Sequence, residues 1–383
     1  MKPYLNALRN LRNPELYFSR VKAGFFLLLL FSICANFSSS FIPFYFKEQG
    51  FSLSAIILMY TIYASVGLLL IPFIRTFSVR RYLTAGLLVF SLALLSLAFL
   101  PASLSFYAYA FLSALNLILF WLPLNYLFFL HSSKNTNATD SSLYMVAPGI
   151  IAMIMPLLGA FAVSKWGYPW LFGIAAVLYS LPLFFVLKKI PAEKISTTSF
   201  KESIHSFKGL KTLTMLEGAL QYFNGIVIVV YALIFLKNTT QVGYFLSYLG
   251  LLGFVIGMIL SRNSDKSQKR KIFIFILFLL MSLSIFMLPL AGTNIIWFVM
   301  VGIFNVIYTV SSPLRLAISL DTRIPDMSFW RVREFFLNVG RVTTLALTVL
   351  LFSLERYLPV FILFGVIALF YPFVVNYKLT ELK

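Results

Sequence analysis

This sequence predicts an all-α integral membrane fold of twelve transmembrane helices, arranged as two parallel six-helix pseudo-repeats. Three observations carry the prediction: twelve long apolar runs, basic residues sorted to one side of them, and landmarks that recur at one constant offset.

The runs occupy about 24–46, 52–74, 82–101, 104–130, 143–164, 168–187, 212–236, 240–260, 272–290, 294–318, 332–354 and 358–377. Each is near the ~20 residues a helix needs to cross a hydrocarbon core about 30 Å thick. The chain is 60% hydrophobic and 11% charged, where a soluble domain has roughly 45–50% and about 25%. With the N-terminus placed in the cytoplasm, 26 of the 31 lysines and arginines fall on the cytoplasmic side and 4 in the outer connections, while Arg341 lies within a run. That is the asymmetry of the positive-inside rule, and shifting the count by one helix destroys it. Both termini are therefore expected inside. The lack of any large loop or ectodomain favours a prokaryotic inner membrane.

A basic arm, 1–21, comes first. Tyr4, Leu5, Leu8 and Leu11 fall near helical spacing there with Arg9 and Arg12 between them, which reads as an interfacial helix on the inner surface. A six-helix bundle follows over 22–187, then a polar linker over 188–211. Within the linker Phe200, Ile204 and Phe207 repeat at i, i+4, i+7 beside Lys201 and Lys208, the pattern of an amphipathic surface helix. A second six-helix bundle covers 212–378, and a short tail, 379–383, ends the chain.

An offset of 190 residues aligns the halves. Lys47 meets Lys237, Gly67 meets Gly257, Arg80-Arg81 meet Arg270-Lys271, and Pro123-Leu124 meet Pro313-Leu314. Six helices per half start the second half on the same side as the first. The repeats are therefore parallel, related by an axis along the membrane normal.

A 6 + 6 parallel repeat with a basic central linker resembles the major facilitator superfamily of secondary transporters. That family carries G-x-x-x-D-[RK]-x-G-[RK]-[RK] between helices 2 and 3, and again between helices 8 and 9. Here the second copy reads SRNSDKSQKRK, keeping Asp265, Lys266, Lys269 and Arg270, with Ser261 and Gln268 at the two glycine positions. The first copy, IPFIRTFSVRR, keeps only Arg80 and Arg81, and Arg75 holds the acidic position. The resemblance implies that Asp265 pairs across the cytoplasmic face with the bases around it, Arg331 and Arg333 included. Glu334 and Arg341 are grouped with this gate. Helix 5 is similar to the family's antiporter motif only at Pro156 and Gly159, too little to give a transport direction. Gly253-x-x-x-Gly257 in helix 8 has the spacing of close helix packing.

The resemblance also implies that helices 1, 4, 7 and 10 line a central cavity. Each has an asparagine near its midpoint: Asn36, Asn116, Asn224 and Asn305. An amide shown to lipid would leave its hydrogen-bonding groups unpaired at a cost of several kcal/mol, so each must face a neighbouring helix or a wet cavity. Gln221 and Tyr308 lie about one turn from the last two, and Trp121 and Tyr222 offer stacking surfaces. With no acid or base at that depth on these four helices, the bound group is expected to be neutral. Intramembrane charge is costly and points to function. Glu217 is the acid placed to carry a coupling proton, or else it is an interfacial cap or the partner of Lys211. Arg341 either pairs with Glu334 or helix-end carbonyls, or holds an anionic substrate group.

The net charge of +19 points to anionic lipid headgroups rather than nucleic acid, because the basic residues border apolar runs. Cys34 is the only cysteine, and His131 and His205 lie far apart without acidic neighbours, so neither a metal nor a cofactor is expected. A lipid-modifying enzyme would need acids or histidines near the interface, and the outer connections offer only Glu48 and Glu355. The expected protein is a monomeric transporter that is not an enzyme. It moves a small neutral-polar or amphiphilic molecule by rocker-switch alternating access, with a proton as candidate coupling ion. A lipid flippase or drug exporter on the same fold is the alternative.

Overall fold

The computed structural model describes residues 14–381 apart from 131, 133–135 and 265–269, with side chains described from Ala23 to Tyr377 outside 77, 138, 257–264 and 270–271. Twelve helices among the described residues are long and apolar enough to cross a membrane, each overlapping one predicted run. In the first half they are α1 (Ala23–Glu48), α2 (Leu53–Phe73), α3 (Val79–Phe99), α4 (Ala102–Phe129), α5 (Thr139–Trp166) and α6 (Tyr168–Lys189). The second half contains α7 (Lys211–Ala232), α8 (Thr239–Ile256), α9 (Ile272–Leu290), α10 (Asn294–Thr322), α11 (Met327–Ser353) and α12 (Leu358–Tyr377). An even number of spans returns the chain to the face it left, so the start of α1 and the end of α12 share a face with the linker, called here the linker face. The helix backbone is continuous from Pro14 into α1, so the end of the basic arm extends that helix. Residues 1–13 of the arm lie outside the described residues.

Local chemistry fixes the helix starts. Ser52, Thr293 and Asp326 accept hydrogen bonds from the backbone amides of Ala55, Ile296 and Phe329, capping α2, α10 and α11. The turns after α1 and α5 use Gly50 and Gly167, both at φ 84°, where a side chain would be strained. The largest shift from the predicted runs is in α11. Its Asp326 cap starts the helix at Met327, so Arg331 lies inside the helix instead of in a loop, and Arg333 lies past its first turn instead of at its very start.

The halves meet through α5 against α8 and α2 against α11. The six-helix repeat maps these two contacts onto each other. Small residues set the closeness of the first. A Cβ on Gly250 would come 2.5 Å from the Ala152 carbonyl carbon, and one on Gly243 would come 2.6 Å from the Ala160 Cβ. Gly253 faces α10 instead, where its Cβ would meet Thr309 Oγ1 at 3.2 Å. Within the second half, α7 and α11 touch through Gly218 and Gly340. A Cβ on Gly218 would lie 2.1 Å from the Leu337 oxygen, and one on Gly340 would lie 1.9 Å from that of Met215.

The linker is built into the linker face. Its strand β2 (Lys194–Ser196) pairs antiparallel with β1 (Thr76–Ser78), between α2 and α3. Its helix, Phe200–Ser206, turns its apolar side onto α11. The Phe200 ring meets Phe335 at 5.2 Å, and Phe207, 2% exposed, lies 5.6 Å from Phe329. The expected membrane-surface helix is therefore a protein-packed one, because α11 supplies the apolar partner that lipid would otherwise provide.

Candidate substrate cavity

Two adjoining cavities lie between the halves. One, about 320 Å³, is bordered by Tyr63 of α2, Trp121 of α4, Tyr144 of α5, Gln221 and Tyr222 of α7, and Trp330, Arg333, Glu334 and Arg341 of α11. The other, about 340 Å³, is bordered by Asn36, Pro156, Asn224, Gly250, Asn305 and Thr309. Met145 of α5 borders both.

Two helix irregularities shape these walls. Leu117–Trp121 in α4 and Phe223–Val227 in α7 are π-helical, and such widened turns re-aim the side chains around them. Pro123 has no N–H to return to the turn before it, which accounts for the loosened winding in α4. In α7 the segment contains Gly225, the residue that tolerates irregular backbone most readily. Trp121 and Asn224 border the cavities from these two segments.

The polar centre of the first cavity is on α11. Arg341 donates to Gln221 Oε1 at 2.7 Å and to Asn338 Oδ1 at 3.1 Å, and it forms an ion pair with Glu334. Its guanidinium lies 4.8 Å from the centre of the Tyr222 ring, which stacks on Tyr63 at 6.3 Å. Asn338 Nδ2 donates to the Glu334 backbone oxygen at 2.9 Å and to Glu334 Oε1 at 3.2 Å. Beside this network Arg333 pairs with Glu217 of α7 at 2.6 Å. Arg315 of α10 is 1% exposed, donates to Ser312 and lies 4.5 Å from the centre of the Tyr308 ring. Multiple donors and a planar fork make arginine the cation suited to such sites.

The predicted site residues divide accordingly. Asn36, Asn224 and Asn305 come to the second cavity, while Trp121, Gln221 and Tyr222 come to the first. Asn36 Nδ2 also donates to Ser32 O at 2.9 Å, and Asn305 Nδ2 to Leu249 O at 2.9 Å. Asn116 does not join them. It is 3% exposed and donates to Gly86 O on α3 at 3.0 Å, a contact within the first half that turns its amide away from both cavities. Tyr308 borders neither cavity and lies against Arg315 instead. Glu217 sits behind the wall, paired with Arg333 rather than Lys211.

The gate residues also move. Glu334 and Arg341 border the interior cavity, because α11 carries them inward from its early start. Arg80 and Arg81 border a groove on the outer flank beside α6, away from the contact between the halves. Asp265, Lys266 and Lys269 lie outside the described residues, and Arg270 is described only in its backbone, as the first residue of the helix continuing into α9. With Glu334, Arg333 and Arg341 on the wall, a neutral substrate no longer follows from the four helices alone, because charged groups reach the lining from α11.

What bridges the linker face instead is Arg331, fully buried. It donates to Ile74 O, to Thr197 Oγ1 at 3.0 Å, to Thr198 O at 2.8 Å and to Ser203 Oγ at 3.0 Å. Asn137, leading into α5, donates to Asp321 Oδ1 in α10 at 2.8 Å. On the opposite face, Lys47 of α1 donates to Leu233 O just after α7. Arg315 and Arg333 fall inside predicted apolar runs and Arg331 borders one, which is the available signal in the sequence that they are buried.

The family model described as Major Facilitator Superfamily matches residues 24–323. No curated protein matches the chain significantly. Among solved structures, a D-xylose-proton symporter is similar at 14% identity with TM-score 0.69, over 93% of this chain and 96% of its own. A POT family transporter in complex with a thioalcohol-conjugated peptide aligns at 14% identity with TM-score 0.66, over 95% of this chain and 96% of that one. The human organic anion transporter MFSD10 (TETRAN) aligns at 11% identity with TM-score 0.66, over 93% and 99%. At these identities the likeness is one of fold. With the family match spanning most of the chain and twelve apolar helices in two halves, the chain belongs to the major facilitator superfamily of membrane transporters.

Proposed function

We propose that this transporter binds a small polar molecule, neutral overall, in the cavity beside Gln221, Glu334 and Arg341, and carries it across the membrane by alternating access. One observation carries the reading: the Gln221–Arg341–Glu334 network borders a cavity to which the opposite half contributes Tyr63, Trp121 and Tyr144. A solute there touches both halves at once, so its binding energy can differ between two arrangements of them. The wall charges are already paired, so a neutral solute can add hydrogen bonds without displacing a counter-ion. Glu217 remains the coupling candidate: protonating it would release Arg333 and alter the contact between α7 and α11. Both termini and the linker face the cytoplasm in this reading, in accord with the side on which basic residues collect.

A second reading has one observation in its favour. Arg341 Nε is buried without a partner, which suits a substrate carboxylate. Thermal-shift screening of the purified protein against sugars, amino acids, short peptides, organic acids and amphiphiles separates the readings. Proteoliposome uptake of any stabilising solute then follows. Stabilisation by neutral polar solutes that weakens about tenfold or more in Gln221→Leu supports the first, since an unpaired buried group costs about 1–3 kcal/mol. Stabilisation only by organic acids, abolished in Arg341→Gln, supports the second. Stabilisation only by amphiphiles, unaffected by either substitution, sinks both and favours a flippase or drug exporter.

A further inference from the structure

The groove that holds Arg80 and Arg81 is separate from the transport cavity. About 390 Å³ in volume, it is bordered by Arg80, Arg81, Thr84, Ala85 and Leu88 of α3, Leu187 of α6 and Ala192 of the linker. Its floor is apolar and its upper end is basic. Leu88 is 47% and Leu187 43% exposed, and Leu92 and Phe184 continue the same flank at 54% and 65%. Leu88 and Leu92 lie on α3 and Phe184 and Leu187 on α6, both long and apolar enough to cross a membrane, while the arginines stand in the first turn of α3.

The start of α3 is electrostatically unusual. Its first turn carries two arginines and no acidic residue, and the Ser78 cap position makes no side-chain capping bond. Helix N-termini favour negative charge and disfavour positive charge, and no side chain of the first turn supplies it. Ser78, 7% exposed, has an unpartnered hydroxyl, and so does Thr84 inside the groove. Lys188 and Lys189 end α6 beside it. Glu193 is the acid nearby, and its backbone oxygen accepts from the first α3 amide at 3.2 Å.

We infer that this groove is a seat for one anionic phospholipid. The lipid phosphate is held by Arg80 and Arg81 over the α3 N-terminus, and an acyl chain follows Leu88 and Leu187 down the flank. A phosphate there supplies the missing negative charge at the helix end, and arginine binds phosphate through paired N–H donors. The apolar floor, narrowed by no large side chain at Ala85, separates a phospholipid from a free anion, which would have no use for it. The inference does not depend on what the cavity carries.

The test uses purified full-length protein in a neutral detergent, with native mass spectrometry and thermal denaturation. Dioleoylphosphatidylglycerol is titrated beside dioleoylphosphatidylcholine, with glycerol phosphate as the chain-free control. Phosphatidylglycerol is expected to remain bound and to raise the melting temperature more than phosphatidylcholine does. Arg80→Gln/Arg81→Gln should weaken that binding tenfold or more, and Ala85→Phe, which fills the groove and keeps the charges, should weaken it comparably. Lys165→Gln, at an exposed lysine on the opposite face, should leave it unchanged. Equal binding of the two lipids, or equal stabilisation by glycerol phosphate, overturns the inference. So does phosphatidylglycerol binding that survives Ala85→Phe, since diffuse surface charge would then explain it. Melting temperatures measured without lipid show whether each variant is folded before its binding is read.

Discussion

Glu217 and Arg333, 116 residues apart in sequence, meet at 2.6 Å with both side chains buried. The approach depends on backbone as much as on charge. Gly218 is next to Glu217, and Gly340 faces Met215, so α7 and α11 come close enough for a short acid to reach an arginine on the neighbouring helix. The same approach brings Gln221 onto Arg341. One helix contact thus supports both the buried ion pair and the polar wall of the cavity.

Removing one partner should therefore cost far more than removing both. Glu217→Ala leaves a buried guanidinium unpaired and should destabilise by about 3–5 kcal/mol, whereas Glu217→Leu/Arg333→Met should recover most of that loss. Thermal denaturation in detergent reads both. A double variant no better than the single one would mean that the pair is not the stabilising unit.

The glycines make a sharper prediction. Gly218→Ala and Gly340→Ala each place a Cβ against a carbonyl oxygen and should cost about 1–3 kcal/mol through strain. They should also weaken substrate binding by moving Gln221 away from Arg341. Gly173→Ala in α6, where nothing lies within 4 Å of the added carbon, should be neutral or stabilising by up to about 1 kcal/mol. Equal melting temperatures for all three variants would count against a tight α7–α11 contact.

Helix number and the two-half plan were legible because a bilayer imposes length and apolarity on every span, whatever the packing. Packing partners were not. A start at 332 leaves Arg331 outside α11 and Arg333 at its very end, where a solvated charge is the natural reading, whereas the Asp326 cap begins the helix at Met327 and carries both inward. Asn116 and Asn224 looked equivalent, each a mid-helix amide, because a sequence does not show which side of a helix meets its own bundle and which meets the cavity. The stripe at Gly243 and Gly250 was legible in principle as small residues one heptad apart. Gly253 and Gly257, one turn apart, form the more conspicuous spacing in the sequence. Arg80 and Arg81 were read through the family motif, and their neighbours on α6 and the linker became visible only with the fold.

Arg331 ties α11 to the α2–α3 connection and the linker through four hydrogen bonds. Arg331→Ala should free the β2 strand and the linker helix, visible as faster amide hydrogen exchange over 194–206. Each charged hydrogen bond contributes about 1.5–3 kcal/mol, so losing them should move a two-state access equilibrium by tenfold or more. Cysteines placed on the two faces of the cavity should then react at changed rates. Unchanged exchange over the linker would show that Phe207 and the strand pairing hold it without the arginine.

The asparagines offer the cleanest separation of packing from binding. Asn116 gives its amide to Gly86 O within the first half, where α3 and α4 lie so close that a Cβ on Gly86 would come 2.8 Å from Phe120 N. Asn116→Ala should lower stability by about 1–3 kcal/mol and leave the apparent affinity for a stabilising solute unchanged. Asn224 borders the second cavity from a π-helical turn, where its amide caps no neighbouring helix among the described contacts. Asn224→Ala should therefore leave the melting temperature within about 0.5 kcal/mol of wild type and weaken solute binding instead, if the solute reaches that depth. The two variants should thus move different observables, one the melting temperature and the other the affinity. If both lower stability and neither changes affinity, the second cavity is a packing defect between the halves, and binding is confined to the wall of Gln221, Glu334 and Arg341.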